Sequence, residues 1–357
     1  MREFGSEFEG ISLPDNYFIN QCRLFKNYEY TRSGREAIRL VAISIKEEYD
    51  KKKLVVLLPS YICPSMVSPF EHKSWDIYYY KLNGDLSINE LDLITKIKLY
   101  KPACVLLTNY FGNLPDNTIA GLIKDINPEI NIVYDFTHSL LSLPKLNDLH
   151  VDYYVASLRK WFGLADGGLV LTDRFIKTDV ITNDNSEFVN LRSMSLELKN
   201  IYLINKDRNL KTIIKSNNRL AETLLNSEQI YRISEPSLRK LHSLNISEIK
   251  HKRNINFLHL WDEIKDIHGI RIATSLNNQQ LADYTFMLPL LFEKRDEIQT
   301  FFSERGLYAQ VIWKIQGDAR QCLNSIAISD HILCIPIDQR YNFCDINDMA
   351  KIIKSAK

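Results

Sequence analysis

The stretch Ser157-Leu158-Arg159-Lys160-Trp161-Phe162-Gly163 joins two apolar runs, Tyr153-Tyr154-Val155-Ala156 before it and Gly168-Leu169-Val170-Leu171-Thr172 after it. Each run is short and apolar enough for a buried strand. A lysine in a loop between two buried strands is poorly solvated, and desolvation favours the neutral amine over the ammonium. A neutral amine is what a Schiff-base lysine needs. The competing reading of the same residues is an exposed basic pair, Arg159-Lys160, on a turn. This stretch alone leaves both open.

Other polar and aromatic residues fall where apolar runs stop. Leu54-Val55-Val56-Leu57-Leu58 ends in Pro59-Ser60-Tyr61. Ala103-Cys104-Val105-Leu106-Leu107 ends in Thr108-Asn109-Tyr110, and Asn131-Ile132-Val133-Tyr134 ends in Asp135, with His138 three residues further on. Open α/β sheets bind ligands at the carboxyl ends of their strands. Tyr61 is therefore either a ring that stacks on a flat ligand or a half-buried core aromatic. Asp135 can hold a protonated pyridine nitrogen as an ion pair, with His138 over a ring face. Its structural alternative is an Asp that caps the following turn. Ser33-Gly34-Arg35-Glu36 opens a helix predicted to run to about Tyr49, with Ser33 and Glu36 spaced as a capping box. The positive end of that helix could hold a phosphate, and Gly34 permits close approach.

These residues need a scaffold that brings strand ends together. Apolar runs at 54–58, 75–80, 103–107, 131–134, 153–156 and 168–172 alternate with helical patterns at 88–99 and 118–125, so we expect an α/β domain with a mostly parallel central sheet flanked by helices. Phe175 to Asn217 is rich in Asn, Lys and Ser and yields no placement beyond a helical piece at Leu220–Leu225. Ser234-Glu235-Pro236-Ser237 starts a helix with proline in its first turn. Ile249 to Ile264 is a long amphipathic helix that leads into a smaller C-terminal α+β domain. That domain is expected to have strands at 284–290, 309–313 and 332–336 and helices at 295–305 and 345–354. The expected division is an N-terminal arm over 1–28, a large domain over 29–245 and a small domain over 246–357.

The composition narrows the function classes. The chain has 357 residues, enough for two domains, with 45% apolar and 25% charged residues and a net charge of +1. No electrostatic footprint for nucleic acid is present, and no apolar run approaches the roughly 18 residues of a membrane span. The six cysteines form no C-x-x-C pair, and Cys104 and Cys334 lie in apolar runs as core thiols. No metal-ligand pattern stands out. The expectation is a reduced, cytoplasmic protein.

Taken in order, these motifs resemble a known family. Pro59-Ser60-Tyr61, Asp135 with His138, then Ser157, Lys160 and Gly167-Gly168 look like the succession in the fold-type I, pyridoxal-phosphate-dependent aminotransferases, and most of all in the DegT/DnrJ/StrS-type sugar aminotransferases. The resemblance spans about residues 30 to 350 and is strongest from 54 to 172. It implies the cofactor pyridoxal 5'-phosphate (PLP) bound as a Schiff base on Lys160. It gives Asp135 to the pyridine nitrogen, Tyr61 or His138 to the ring faces, and Ser157 with Ser33, Gly34 and Arg35 to the phosphate, Asn109 being a further cofactor contact. Substrate contacts are expected at Arg340, Trp313 and Tyr110, Arg340 either as a carboxylate receptor or as part of a structural salt bridge. The implied reaction moves an amino group from an amino acid, glutamate by resemblance, to a ketosugar, nucleotide-linked, in bacterial polysaccharide or glycan synthesis. The implied assembly is a homodimer with sites at the interface, reached from the neighbouring subunit by Tyr231-Arg232 or Asn190-Leu191-Arg192. The chain departs from the family in packing serine and lysine as S-x-x-K and in carrying Gly34-Arg35 where the family has glycine-threonine. The rival readings are a dehydratase, lyase or condensing enzyme on the same cofactor, a non-catalytic scaffold, and a serine acylase built on Ser157 and Lys160. The last lacks its K-T-G, S-D-N and G-x-S-x-G companions.

Overall fold

A computed structural model describes residues 4–5, 22, 24–50, 52–71, 74–112, 118–145, 150–274 and 286–356. The chain forms two compact units, one from Met1–Ser6, Lys51–Val151 and Ser247–Lys357, the other from Glu7–Asp50 and Asp152–Ile246.

In the first unit the strands Trp75–Tyr80, Leu54–Pro59, Cys104–Thr108 and Asn131–Asp135 lie side by side in that order, all parallel. They are nearly continuous apolar runs because a parallel sheet is covered on both faces. The helices Glu90–Tyr100 and Thr118–Ile126 are the crossovers that parallel pairing requires. Asn89 caps the first by accepting the Asp92 N–H at 3.0 Å, and Lys101 ends it in a left-handed conformation at φ 47°. The rest of this unit holds a small antiparallel sheet, Arg271–Ile272, Leu288–Leu291 and Ile332–Ile335. Its core joins Phe257, Leu260 and Ile264 from the helix Ile246–Ile264 to Leu290, Phe302 and Met349. A full capping box between Asn342 and Asp345 starts the closing helix Phe343–Lys354.

In the second unit Gly168–Thr172 is the middle strand, antiparallel to both Asn27–Thr31 and Tyr153–Ser157. The helix Gly34–Glu47 packs on it through Ala37, Ile38, Leu40, Val41 and Ile45. Two long helices, Ser186–Asn205 and Arg208–Leu224, pair with each other, and Glu235–His242 carries the expected proline in its first turn. The fold class is therefore α/β, with mixed but mostly parallel sheet strands flanked by helices.

Several expectations change. The segment 175–217 contains most of the long helical pair. Ser186–Asn205 buries Arg192, Ser195 and Lys199 and exposes Met194, Ile201 and Ile204, which erases the apolar stripe by which a helix is recognised. The strand Asn27–Thr31 falls where the arm was expected to end, and residues 6–21 of that arm lie outside the described residues. The strand expected at 284–290 is Leu288–Leu291, residues 284–285 also lying outside. Residues 309–313 are no strand. Leu307–Tyr308 pairs with Phe4–Gly5, Gln310 bridges Cys334, and the backbone at Ile312 and Trp313 is taken by the Tyr61 hydroxyl. No helix of the described residues is long and apolar enough to cross a membrane, and they contain no cluster able to hold a metal ion.

Candidate active site

In the second unit the lysine follows the buried strand Tyr153–Ser157 directly. Leu158–Lys160 is a single 3-10 turn, closed by the Trp161 N–H on the Leu158 carbonyl at 3.0 Å. Lys160 is half-buried there, while Ser157 and Leu158 are buried. The strand is held in place from its antiparallel side, with Ser157 opposite Gly168. Two glycines allow the close approaches around it. A Cβ on Gly34 would lie 2.8 Å from the Ser157 Cβ and 3.2 Å from its Cα and N. A Cβ on Gly168 would collide with the Ser33 carbonyl and the Thr31 hydroxyl. The lysine turn is thus seated against the start of the fourteen-residue helix Gly34–Glu47, the end at which backbone N–H groups and the helix dipole favour an anion.

At that helix start the capping box is half formed. The Glu36 N–H bonds the Ser33 hydroxyl at 3.3 Å, but the Glu36 carboxylate turns to Arg32, whose Nε donates at 2.8 Å. Arg32 also lies 4.2 Å from the centre of the Tyr231 ring. Burial pushes the Glu36 carboxyl up, against the pull of Arg32. Arg35 points elsewhere, its Nη1 donating to the Leu225 carbonyl at 2.9 Å and to Asn226 Oδ1 at 3.2 Å. The structure thus brings Ser33, Gly34 and Ser157 together and turns the Arg35 guanidinium to the 225–226 turn.

Asp166 lies in the glycine-rich run after the lysine, and the sequence reading does not single it out. It is fully buried and accepts from Asn185 Nδ2 at 2.6 Å, from the Ser234 N–H at 2.7 Å and from the Ser234 hydroxyl at 2.7 Å. One carboxylate therefore ties the lysine loop to the start of two helices. An acid embedded in an apolar, glycine-bearing stretch is the only sequence signal for it. Lys240 adds a further tie, donating to the Gly163 carbonyl at 2.7 Å.

In the first unit, Tyr61, Asn109, Tyr110, Asp135 and His138 lie at the carboxyl ends of the parallel strands. Tyr61 follows Leu54–Pro59 and is fully buried; its hydroxyl donates to the Ile312 carbonyl and accepts the Trp313 N–H at 2.8 Å. The Tyr61 ring lies 5.7 Å from those of both Tyr110 and Trp313. Tyr110 donates to the Tyr61 carbonyl at 2.5 Å. His138 stacks against Phe286 at 4.5 Å and against Trp313 at 5.1 Å, and its Nδ1 accepts the Phe111 N–H at 3.4 Å. Burial pushes both the Tyr61 and Tyr110 phenols well above the usual tyrosine range. Phe111 and Phe286 are neighbours of His138 that sequence reasoning misses, since isolated aromatics far apart in the chain carry no pattern.

Asp135 is buried at the end of its strand, and its Oδ1 accepts the Thr137 N–H at 2.8 Å, the turn-capping bond expected of an aspartate there. Beside it the Asn109 N–H bonds the Asp135 carbonyl at 3.2 Å. The Asn109 side chain is buried and its Nδ2 has no hydrogen-bond partner among the described residues. An unpaired buried amide donor is costly, so an acceptor placed there would be favourable. Arg340 forms an ion pair with Asp338, Nε to Oδ1 at 2.7 Å and Nη2 to Oδ2 at 2.8 Å, both side chains buried. An ion pair of this kind is what the salt-bridge reading of Arg340 expects.

No family model matches the sequence, and no curated protein matches it. Solved structures do match in fold. The sugar aminotransferase CalS13 from Micromonospora echinospora shares 13% identity, with 97% of this chain and 94% of that chain covered at a TM-score of 0.65. PseC from Helicobacter pylori, an aminotransferase of pseudoaminic acid biosynthesis, shares 14% identity, with 98% of each chain covered at a TM-score of 0.66. Spr1654 from Streptococcus pneumoniae, in its PLP form, shares 10% identity, with 96% and 92% covered at 0.66. The chain thus has the fold of the fold-type I aminotransferases over nearly its whole length.

Proposed function

We propose that this protein is a PLP-dependent aminotransferase that moves an amino group from an amino acid, glutamate in this reading, to a ketosugar carried on a nucleotide. It would do so as a cytoplasmic homodimer in the synthesis of a bacterial glycan. The cofactor domain of this reading is 29–245 and the small domain 246–357, with the arm 1–28 before them. The observation that carries it is the seating of the Lys160 turn against the helix start at Gly34, where no side chain fits beside Ser157. The fold adds support, since neighbours of similar fold include sugar aminotransferases, among them DesI, determined in the presence of its TDP-sugar product.

The residues present suit PLP chemically. The helix start and the Ser157 hydroxyl suit a phosphate, the Asp135 carboxylate suits a protonated ring nitrogen, and the partnerless Asn109 Nδ2 suits a ligand oxygen. Bound PLP supplies an electron sink for the charge left on the donor's α-carbon. Lys160 would have two tasks: its Nζ would hold the cofactor's aldehyde carbon, and its free amine would carry the proton at the donor's α-carbon. Asp135 would hold the cofactor's ring nitrogen in its protonated form. His138, its Nδ1 already accepting from Phe111, offers a flat ring and no proton at that atom.

The test is covalent. The purified protein mixed with PLP and reduced with borohydride should carry the reduced adduct on Lys160, located by peptide mass spectrometry, and Lys160→Ala should carry none. Adduct formation spread over surface lysines, unchanged in Lys160→Ala, would refute the assignment. Glutamate-driven conversion to the pyridoxamine form separates transamination from the other PLP reactions.

A further inference from the structure

We infer that the indole of Trp313 occupies the place a flat cofactor ring must take, so that Trp313 sets the affinity for the cofactor by competing with it. The inference rests on the proposed function, in that it takes the ligand to be PLP.

The argument starts from position. Tyr61, Asn109, Tyr110 and His138 all lie within three residues of the carboxyl end of a parallel strand, where an open α/β sheet receives its ligand. A flat aromatic ring is already there, and it belongs to the chain. The Trp313 indole lies 5.7 Å from the Tyr61 ring, 6.4 Å from the Tyr110 ring and 5.1 Å from the His138 ring, nearly parallel to the last at 21°. These are the contacts that a pyridine ring would make at the same strand ends. The second observation is independent and polar. The indole fills aromatic contacts but leaves the buried Asn109 Nδ2, one residue from Tyr110, without a partner. A nest with its stacking met and its hydrogen bonding unmet is half occupied. A ligand with both a flat ring and ring-borne oxygens completes it and must move the indole to do so.

The surroundings keep this movement local. The Trp313 backbone is anchored, since its N–H donates to the Tyr61 hydroxyl at 2.8 Å, so the exchange is a swing of the side chain about a fixed backbone. The indole is only half-buried, which gives it an exit. Phe286, the other ring stacked on His138, is held by Arg253, whose Nη1 donates to the Phe286 carbonyl at 3.1 Å, and it remains when the indole leaves.

A residue that competes with the ring and one that packs on it predict opposite signs on truncation. With PLP, Trp313→Ala is expected to bind about tenfold tighter than the parent, since the ligand no longer has to displace an indole from its stacking on His138 and its tilted contact with Tyr61. A packing role predicts weaker binding. The second measurement uses the full chain labelled with 5-fluorotryptophan. Its four tryptophans, Trp75, Trp161, Trp261 and Trp313, give separate fluorine resonances, and Trp313→Phe assigns the relevant one. The Trp313 resonance should move on adding PLP while those of Trp75 and Trp261 stay. This readout needs no truncation, so it stands even if Trp313→Ala does not fold. An adduct on Lys160 with an unmoved Trp313 resonance overturns the inference and leaves the proposed function standing, as does an adduct with weaker binding by Trp313→Ala. Absence of any adduct on Lys160 overturns both.

Discussion

The same chemical change, glycine to alanine in a helix, should have opposite signs at two sites in this chain. Gly121 sits inside the helix Thr118–Ile126, and a Cβ there would meet nothing nearer than the His150 ring at 3.7 Å, ordinary contact distance. Alanine at a helix interior is better than glycine by about 0.8–1 kcal/mol, so Gly121→Ala should stabilise by roughly that amount. Gly34 opens the helix Gly34–Glu47, where the propensity gain is smaller. There the new Cβ would sit 2.8 Å from the Ser157 Cβ, with the Ser157 backbone N and Cα at 3.2 Å behind it. Ser157 cannot yield, because its strand is paired with Gly168–Thr172. Overpacking against fixed atoms costs about 1–3 kcal/mol, which exceeds the propensity gain and leaves Gly34→Ala about 1–2 kcal/mol less stable than the parent. Thermal or urea midpoints of the two variants should fall on opposite sides of the parent, at about 2–4 °C per kcal/mol for domains of this size. A Gly34→Ala protein at least as stable as the parent, with Gly121→Ala raised as expected, would show that Ser157 does not press on the helix start, and the phosphate-site argument would lose its base.

Two further outcomes follow from buried charge. For Asp338, burial pushes the carboxyl up, but the paired Arg340 guanidinium, its hydrogen bonds and the nearby Arg253 outweigh this and hold it below the usual carboxylate range. A depressed carboxyl contributes stability above its unfolded value of about 3.9 and loses it as pH falls through the folded value. Arg340→Ala should therefore cost about 3 kcal/mol at neutral pH, the low end for a broken buried pair because Arg253 remains, and the gap to the parent should close below about pH 4; urea midpoints measured across pH would show a pH-independent gap if the pairing is not the cause. Asp166→Ala leaves Asn185 Nδ2 and the Ser234 N–H and hydroxyl without their acceptor, a loss of about 3 kcal/mol, with Asp166→Asn milder; equal denaturation midpoints for the alanine variant and the parent would remove Asp166 from its tying role.

What could be read from the sequence was local, and what could not was assembled from distant pieces. Lys160 after a buried strand, Ser33 as a helix cap and the strand ends at Tyr61, Asn109 and Asp135 each show within about ten residues, because strand periodicity, capping and proline stops are short-range signals. Trp313 reaches His138, and Asn226 reaches Arg35, through chain folding that no local pattern encodes. The helix Ser186–Asn205 was illegible for another reason. Its apolar and polar residues are scattered around its circumference, so neither of its faces announces burial. The strand expected at 309–313 had the right composition but lost its backbone hydrogen bonds to a side chain, the Tyr61 hydroxyl, which a propensity argument cannot see.

The chemistry of the aromatic nest limits which residues can handle protons. Tyr61 and Tyr110 have their hydroxyls committed to backbone carbonyls, and burial holds both phenols well above the usual range, so both stay protonated at neutral pH. Arg340 is paired with buried Asp338, and releasing it to a substrate carboxylate would strand Asp338 in the interior at a cost of about 3–5 kcal/mol. If the Asp338 pair stays closed during the proposed reaction, a carboxylate-bearing donor should bind Arg340→Lys, provided it folds, as well as it binds the parent.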